Sequence, residues 1–222
     1  MGSGVPTAKQ GLFITFEGMD GCGKTTQLHL LARRLRDAGR TVLETVEPGG
    51  TPIGEQIRRI LLDNRNQELS PTAEFLLYFA SRAQNVDQWI RPALARGDVV
   101  LCDRFTDSTM AYQGYGRAIG PETVLAVDRI ACRGLKPDLT LLVDIDLETS
   151  LARARTRNRE ASDPATQSMT RMDDQAAEFY HKVRDAYWRM AQAAPDRFRI
   201  VDGRGDVAAV ESAVWSVVAP HV

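Results

Sequence analysis

Residues Gly18-Met19-Asp20-Gly21-Cys22-Gly23-Lys24-Thr25 satisfy the spacing G-x-x-x-x-G-K-[ST], and no other segment constrains this chain as tightly. Glycines let the backbone curl so that successive N–H groups point inward, where a side chain would clash with a phosphate oxygen. The N-terminus of a following helix adds its positive end to the same spot. Lys24 is suited to reach β- and γ-phosphates, and Thr25 to offer its hydroxyl to Mg2+. The flanks agree with this reading. Leu12 to Phe16 is a short apolar, β-branched run read as a buried strand. From Thr25 to Ala38, Leu28, Leu31, Ala32 and Leu35 recur at helical steps, and Gly39 supplies a stop. Such a cradle holds a nucleotide without saying which reaction follows, because switches, motors and transferases share it.

The same alternation continues along the chain. Strands are expected at Thr41–Val46, Asp98–Cys102, Leu139–Ile145 and Arg199–Val201. Thr51-Pro52 and Ser70-Pro71 each open a helix with proline in the first turn. The second of these includes Phe75, Leu76 and Phe79 and is expected to kink or end at Pro92. Further helices are expected over Glu122–Cys132, Leu147–Arg157, Asp173–Ala193 and Val207–Val218. Strands alternating with long helices imply an α/β fold, a five-stranded parallel sheet with helices on both faces, in one domain from 11 to 222. Asn158–Thr170 is polar and without period, and reads as a mobile loop or lid. Met1–Gln10 is small and polar, lacks the apolar stretch of a secretory signal, and reads as a loose tail.

Composition excludes several classes. Lys and Arg number 28 and Asp and Glu 29, so the formal charge is −1, against a protein that holds nucleic acid by bulk charge. No apolar run approaches the roughly 20 residues of a membrane helix. The three cysteines, Cys22, Cys102 and Cys132, share no metal-ligand spacing, which disfavours a disulfide framework or zinc site and suits a reducing cytoplasm. His29, His181 and His221 show no nucleophile or metal spacing and read as surface or packing residues. The stripe Phe179, Val183, Tyr187, with Met169 and Met172, reads as core or subunit contact.

Asp103-Arg104 stands at the carboxyl end of the third strand, the edge where open α/β sheets hold their ligands. An arginine there suits a bidentate grip on a second phosphate, and an aspartate a water-mediated Mg2+ contact. The runs Glu17–Thr26 (EGMDGCGKTT), Glu47–Thr51 (EPGGT), Leu76–Gln84 (LLYFASRAQ), Asp103–Gly114 (DRFTDSTMAYQG) and Pro137–Asp146 (PDLTLLVDID) together resemble the thymidylate kinases of bacterial type. The resemblance spans about Gly11 to near the C-terminus, and Asp103–Gly114 is its most specific part.

The resemblance implies a P-loop nucleoside-monophosphate-kinase-like fold and transfer of the γ-phosphoryl group of Mg·ATP to dTMP, giving dTDP. It also implies a cytoplasmic homodimer packed through helices. ATP would lie on Gly18, Met19, Asp20, Gly21, Cys22, Gly23, Lys24, Thr25 and Thr26, with Arg153 against the adenine; Thr25 and Asp103 would attend Mg2+. Asp20 and Glu47 would face the acceptor's sugar, Arg58 and Arg104 would hold its phosphate, and Tyr78 would stack on thymine. Arg82 would donate to O4, Ser108, Thr109 and Gln113 would line the base pocket, and Tyr112 would crowd out a 2′-hydroxyl. Some members carry a catalytic arginine in the P-loop. Here Gly21 and Cys22 occupy those positions, so the lid, about 153 to 172, must supply it, from Arg155, Arg157, Arg159 or, less directly, Arg153 and Arg171. Val46, Tyr78, Thr170 and a longer lid depart from the family pattern. The rival readings are another nucleoside-monophosphate kinase and a P-loop nucleotide-binding switch.

Overall fold

The computed structural model describes residues 11–160, 171–172 and 177–222. Five parallel strands, β1 (Leu12–Glu17), β2 (Val42–Val46), β3 (Val99–Asp103), β4 (Leu139–Asp144) and β5 (Phe198–Asp202), form one sheet in the order β2-β3-β1-β4-β5. β1 is central: Leu12 pairs with Val99 on one side and Ile14 with Leu139 on the other. Each crossover carries helix, as parallel pairing requires.

Strand alternation assigns the two faces. Ile14 and Phe16 turn to one side, where they meet Leu28, Leu31, Ala32 and Leu35 of α1 (Lys24–Asp37) and Val210, Val214 and Val218 of the closing helix, α9 (Val207–Val218). Phe13 turns to the other side, against Phe75 and Phe79 of α3 (Pro71–Asn85) and Val124 of α6 (Pro121–Cys132). Tyr180, Val183 and Tyr187 of α8 (Ala177–Ala193) complete that side on Leu142 and Phe198. The stripe on α8 is therefore core of this chain. Truncating a fully buried leucine such as Leu31 is expected to cost about 2–5 kcal/mol.

Helix starts follow local chemistry. The Thr51 hydroxyl accepts from the Gly54 N–H to cap α2 (Pro52–Leu62), and the Ser70 hydroxyl caps α3 through Ala73. Of the two outcomes expected at Pro92, a kink or an end, the helical path does not take the second. Hydrogen bonding widens to a π-helix over Val86–Ile90, then resumes in α4 (Arg91–Ala95), so the bond that proline cannot donate falls at the wide turn. A short α5 (Thr106–Thr109) passes into a second π-helical stretch, Met110–Gly116, which periodicity does not reveal. α7 (Leu147–Glu160) runs three residues into the segment expected to be loop. The expected tail 1–10, the rest of the expected lid from 161 to 170, and Met169 lie outside the described residues.

Candidate active site

Parallel strands present all their carboxyl ends at one edge, and there a cleft of about 790 Å3 opens. Its walls come from the turn after β1 (Asp20 to Thr26), the end of β2 (Glu44 to Pro48), Asp103-Arg104 after β3, and α3, where Tyr78 and Arg82 share a face by their four-residue spacing.

At the β1 end, Gly18, Gly21 and Gly23 all have positive φ, 132°, 76° and 97°. A Cβ at Gly18 would stand 2.4 Å from the Val143 carbonyl oxygen, and one at Gly21 2.6 Å from that of Ser150. At these two positions the close approach that demands glycine is to the chain itself, from β4 and α7. Position 21 thus has no room for an arginine. Lys24 arches over the turn, its Nζ donating to the Met19 carbonyl at 2.7 Å. Met19 and Cys22 are buried beneath the turn and their side chains do not line the cleft, although both stand among the residues expected at ATP. The Thr25 hydroxyl donates to Asp103 Oδ2 at 2.5 Å, joining the two expected Mg2+ partners across 78 residues. Two oxygen donors at the P-loop fit a hard cation.

Arg104 occupies the middle of the polar wall. Its backbone has φ of 71°, a left-handed conformation sparsely used by non-glycine residues and held here by the Arg104 N–H donating to Phe16 O at 2.9 Å. The guanidinium donates to Asp20 Oδ1 at 2.9 Å, Ser108 Oγ at 3.1 Å, Tyr112 Oη at 3.3 Å and Tyr187 Oη at 3.3 Å. Tyr112 in turn donates to Asp20 Oδ2 at 3.2 Å, fixing the aspartate from a second direction.

Below Arg104 lies a residue for which the sequence suggested no separate role. Alternation along β1 puts Glu17 on the same face as Phe13, fully buried. Its carboxylate accepts from Ser108 Oγ at 2.5 Å, the Phe105 N–H at 2.8 Å and Tyr187 Oη at 3.1 Å. Burial, and then the charge of Asp107, push its pKa up to about 7 against the opposing pull of Ser108 and Arg104. Only its place at the head of the run Glu17–Thr26 marked it.

At the α3 end, Arg82 is 1% exposed. Nε donates to Glu47 at 2.6 Å, Nη2 to Thr109 Oγ1 at 2.9 Å, and its plane lies 4.8 and 5.0 Å from the Phe79 and Phe105 ring centres. Nη1 is buried without a hydrogen-bond partner. Glu47 is held on its other oxygen by Asn85 at 3.2 Å, and burial raises its pKa despite Arg82. One carboxylate oxygen thus orients that arginine while Asn85 fixes the other. Tyr78 lines the cleft half-buried, its phenol pushed up to about 12 by burial. Arg58 lines it too, donating to the Pro48 carbonyl at 2.7 Å.

Gln113 is buried with its Nε2 donating to Glu74 Oε1 at 2.9 Å. The same carboxylate takes Arg117 at 3.3 Å and Arg171 at 2.7 Å, and Arg171 Nε donates to Leu61 O at 2.5 Å. Arg171 is therefore turned into the protein, a correction to its place among the lid cations: a buried carboxylate needs a partner and Arg171 is one. Arg153 is exposed, lines the cleft and donates to Gly203 O at 3.4 Å. The side chains of Arg155, Arg157 and Arg159 lie outside the described residues.

A family model described as thymidylate kinase matches residues 16–214. The thymidylate kinase of Geotalea uraniireducens (strain Rf4) is 49% identical over 208 residues, covering 94% of this chain and 96% of that protein. That of Pelobacter propionicus is 50% identical over 204 residues, covering 92% of each. The crystal structure of thymidylate kinase from Ehrlichia chaffeensis superimposes with a TM-score of 0.75 at 33% identity, covering 95% of this chain and 99% of that one.

Proposed function

The chain belongs to the thymidylate kinase family, and from that premise we propose that it carries the γ-phosphoryl group of Mg·ATP to dTMP, giving dTDP, through the residues that line its cleft. The observation that carries the site reading is the double engagement of Asp103-Arg104: Asp103 takes the Thr25 hydroxyl on the P-loop side, while Arg104 reaches Asp20, Ser108 and Tyr112 toward the second pocket. One dipeptide thus serves both nucleotides.

Phosphoryl transfer asks for alignment of two phosphates and neutralisation of the moving charge. Backbone N–H groups from Gly18 to Thr26 would cradle the donor, with Lys24 at its outer phosphates and Arg153 near its base. Thr25 and Asp103 would hold Mg2+, which when bound offsets the charge of the β- and γ-phosphates. Arg104 and Arg58 would grip the acceptor phosphate, the first pre-oriented by Asp20 and Ser108. Tyr112 would pack under the deoxyribose and crowd out a 2′-hydroxyl; Asp20 would face the sugar. The thymine would stack on Tyr78, with Arg82 donating to O4 and Ser108, Thr109 and Gln113 completing the pocket. Glu47, expected at the sugar, serves in this reading chiefly to aim Arg82. A lid at about 153–172 would bring Arg155, Arg157 or Arg159 to the phosphates and exclude water, which otherwise competes as acceptor.

Exposed Ile53 and Ile60 on α2, Leu76 on α3 and Leu125 and Ile130 on α6 support a homodimer packed through these helices, since α2 lies on α3 and α3 on α6. Sedimentation of the purified protein measures this. Among the described residues no helix is long and apolar enough to cross a membrane; together with three buried free cysteines this supports a cytoplasmic enzyme. A coupled ADP-release assay across dTMP, dUMP, dCMP, dGMP and AMP tests the activity. Turnover of another monophosphate and none of dTMP would refute it.

A further inference from the structure

The base pocket contains a polarity that no single side chain in it explains. Glu74 is 1% exposed and is met by three donors, Gln113 Nε2, Arg117 and Arg171. Burial alone would raise its pKa, but these hydrogen bonds hold it below the ordinary carboxylate range, so it is ionised at neutral pH. An ionised carboxylate only accepts. The two ends of a glutamine amide are otherwise interchangeable in shape, and their assignment follows from the partners. Facing Glu74, Gln113 must present its NH2, which leaves Oε1 as the atom it offers to the cleft it lines. Arg82 lines the same pocket, and every nitrogen it carries is a donor.

A donor beside an acceptor is complementary to one kind of pyrimidine edge. Thymine and uracil show a carbonyl at position 4 and a proton at N3; cytosine shows an amine and a lone pair. Arg82 cannot reverse its polarity, because every guanidinium nitrogen donates. Gln113 can, by a half-turn of its amide.

We propose that Glu74 is a positioning residue that sets pyrimidine specificity, by locking the Gln113 amide with its carbonyl oxygen toward the base, where it takes N3–H and repels the lone pair of a cytosine. The inference rests on the reading of the cleft as the dTMP site. Arg117 and Arg171 keep Glu74 charged and fixed, so the selectivity of the pocket is anchored by residues that do not touch the base.

Glu74→Gln tests this with nearly unchanged volume. The glutamine at 74 has one acceptor oxygen, which two arginines claim at the Oε2 position, since Arg171 and Arg117 both donate there. Its NH2 then faces Gln113, which must turn its own oxygen inward and its NH2 to the base. The readout is the ratio of kcat/KM for dTMP to that for 5-methyl-dCMP, which differ only at position 4 and N3, so that the contribution of Arg82 cancels between enzymes. The expected result is a fall in this ratio of about 10–100-fold, the cost of one mismatched buried hydrogen bond, carried mainly by KM for dTMP. In a Gln113→Leu background Glu74→Gln should leave the ratio unchanged. Equal losses for both nucleotides would overturn the proposal and leave Glu74 a structural residue. A wild-type enzyme inactive on dTMP would instead bring down the reading of the site. If the variant does not fold, a crystal complex of the wild type with dTMP decides. The amide must bridge Glu74 and N3, each within about 3.2 Å, and an amide missing either contact contradicts the proposal.

Discussion

Ser108 Oγ stands 2.5 Å from a carboxylate oxygen of Glu17 and 3.1 Å from Arg104 Nη1, so the buried glutamate and the half-buried arginine are coupled through one hydroxyl. The folded pKa of Glu17, about 7, lies above its ordinary 4.5. The folded state therefore holds this proton more tightly than the unfolded chain does. Its contribution to stability is complete below about pH 4.5 and is lost as pH rises through about 7. Chemical denaturation of wild type should show that decline, of order 1–3 kcal/mol. Glu17→Gln should flatten it, and identical slopes in the two proteins would contradict the assignment.

Arg104→Met removes the guanidinium that spans Asp20, Ser108 and Tyr112. Steady-state kinetics should show kcat/KM for dTMP lowered about 100–1,000-fold, with KM for ATP changed far less. A loss shared equally by both substrates would mean that Arg104 supports the fold and not the acceptor.

Tyr78→Ala should raise KM for dTMP about 10–100-fold through lost stacking, whereas Tyr78→Phe should stay near wild type. The phenol is not invoked in recognition, and its oxygen is pushed up to about 12, well outside the working range. A large effect of the phenylalanine variant would assign the hydroxyl a role.

Thr25→Ala deletes the hydroxyl that meets Asp103. The Mg2+ concentration for half-maximal activity should rise about 10–100-fold, measured by titrating the metal at saturating nucleotides. An unchanged midpoint would place the ion elsewhere.

How much of this was legible in the sequence divides by the range of the interaction. The P-loop, the helix starts at Thr51 and Ser70 and the apolar runs of the strands are local patterns, and those runs anticipated the strands to within one residue. The π-helical stretch Met110–Gly116 was not legible, because its mix of apolar and glycine residues has no helical period. Glu47 with Arg82, Glu17 with Tyr187 and Glu74 with Arg171 are pairings across 35, 170 and 97 residues. No spacing rule announces them. Arg171 is the instructive case: proximity in sequence grouped it with the lid cations, whereas a buried carboxylate on α3 claims it.

An acceptor nucleotide is expected to have its own preformed pocket beside the P-loop. Calorimetric titration of dTMP into the protein without ATP or Mg2+ tests it most directly. Saturable binding of one dTMP per chain, abolished by Arg82→Met, is the predicted result; no heat of binding until a donor nucleotide is added would contradict it.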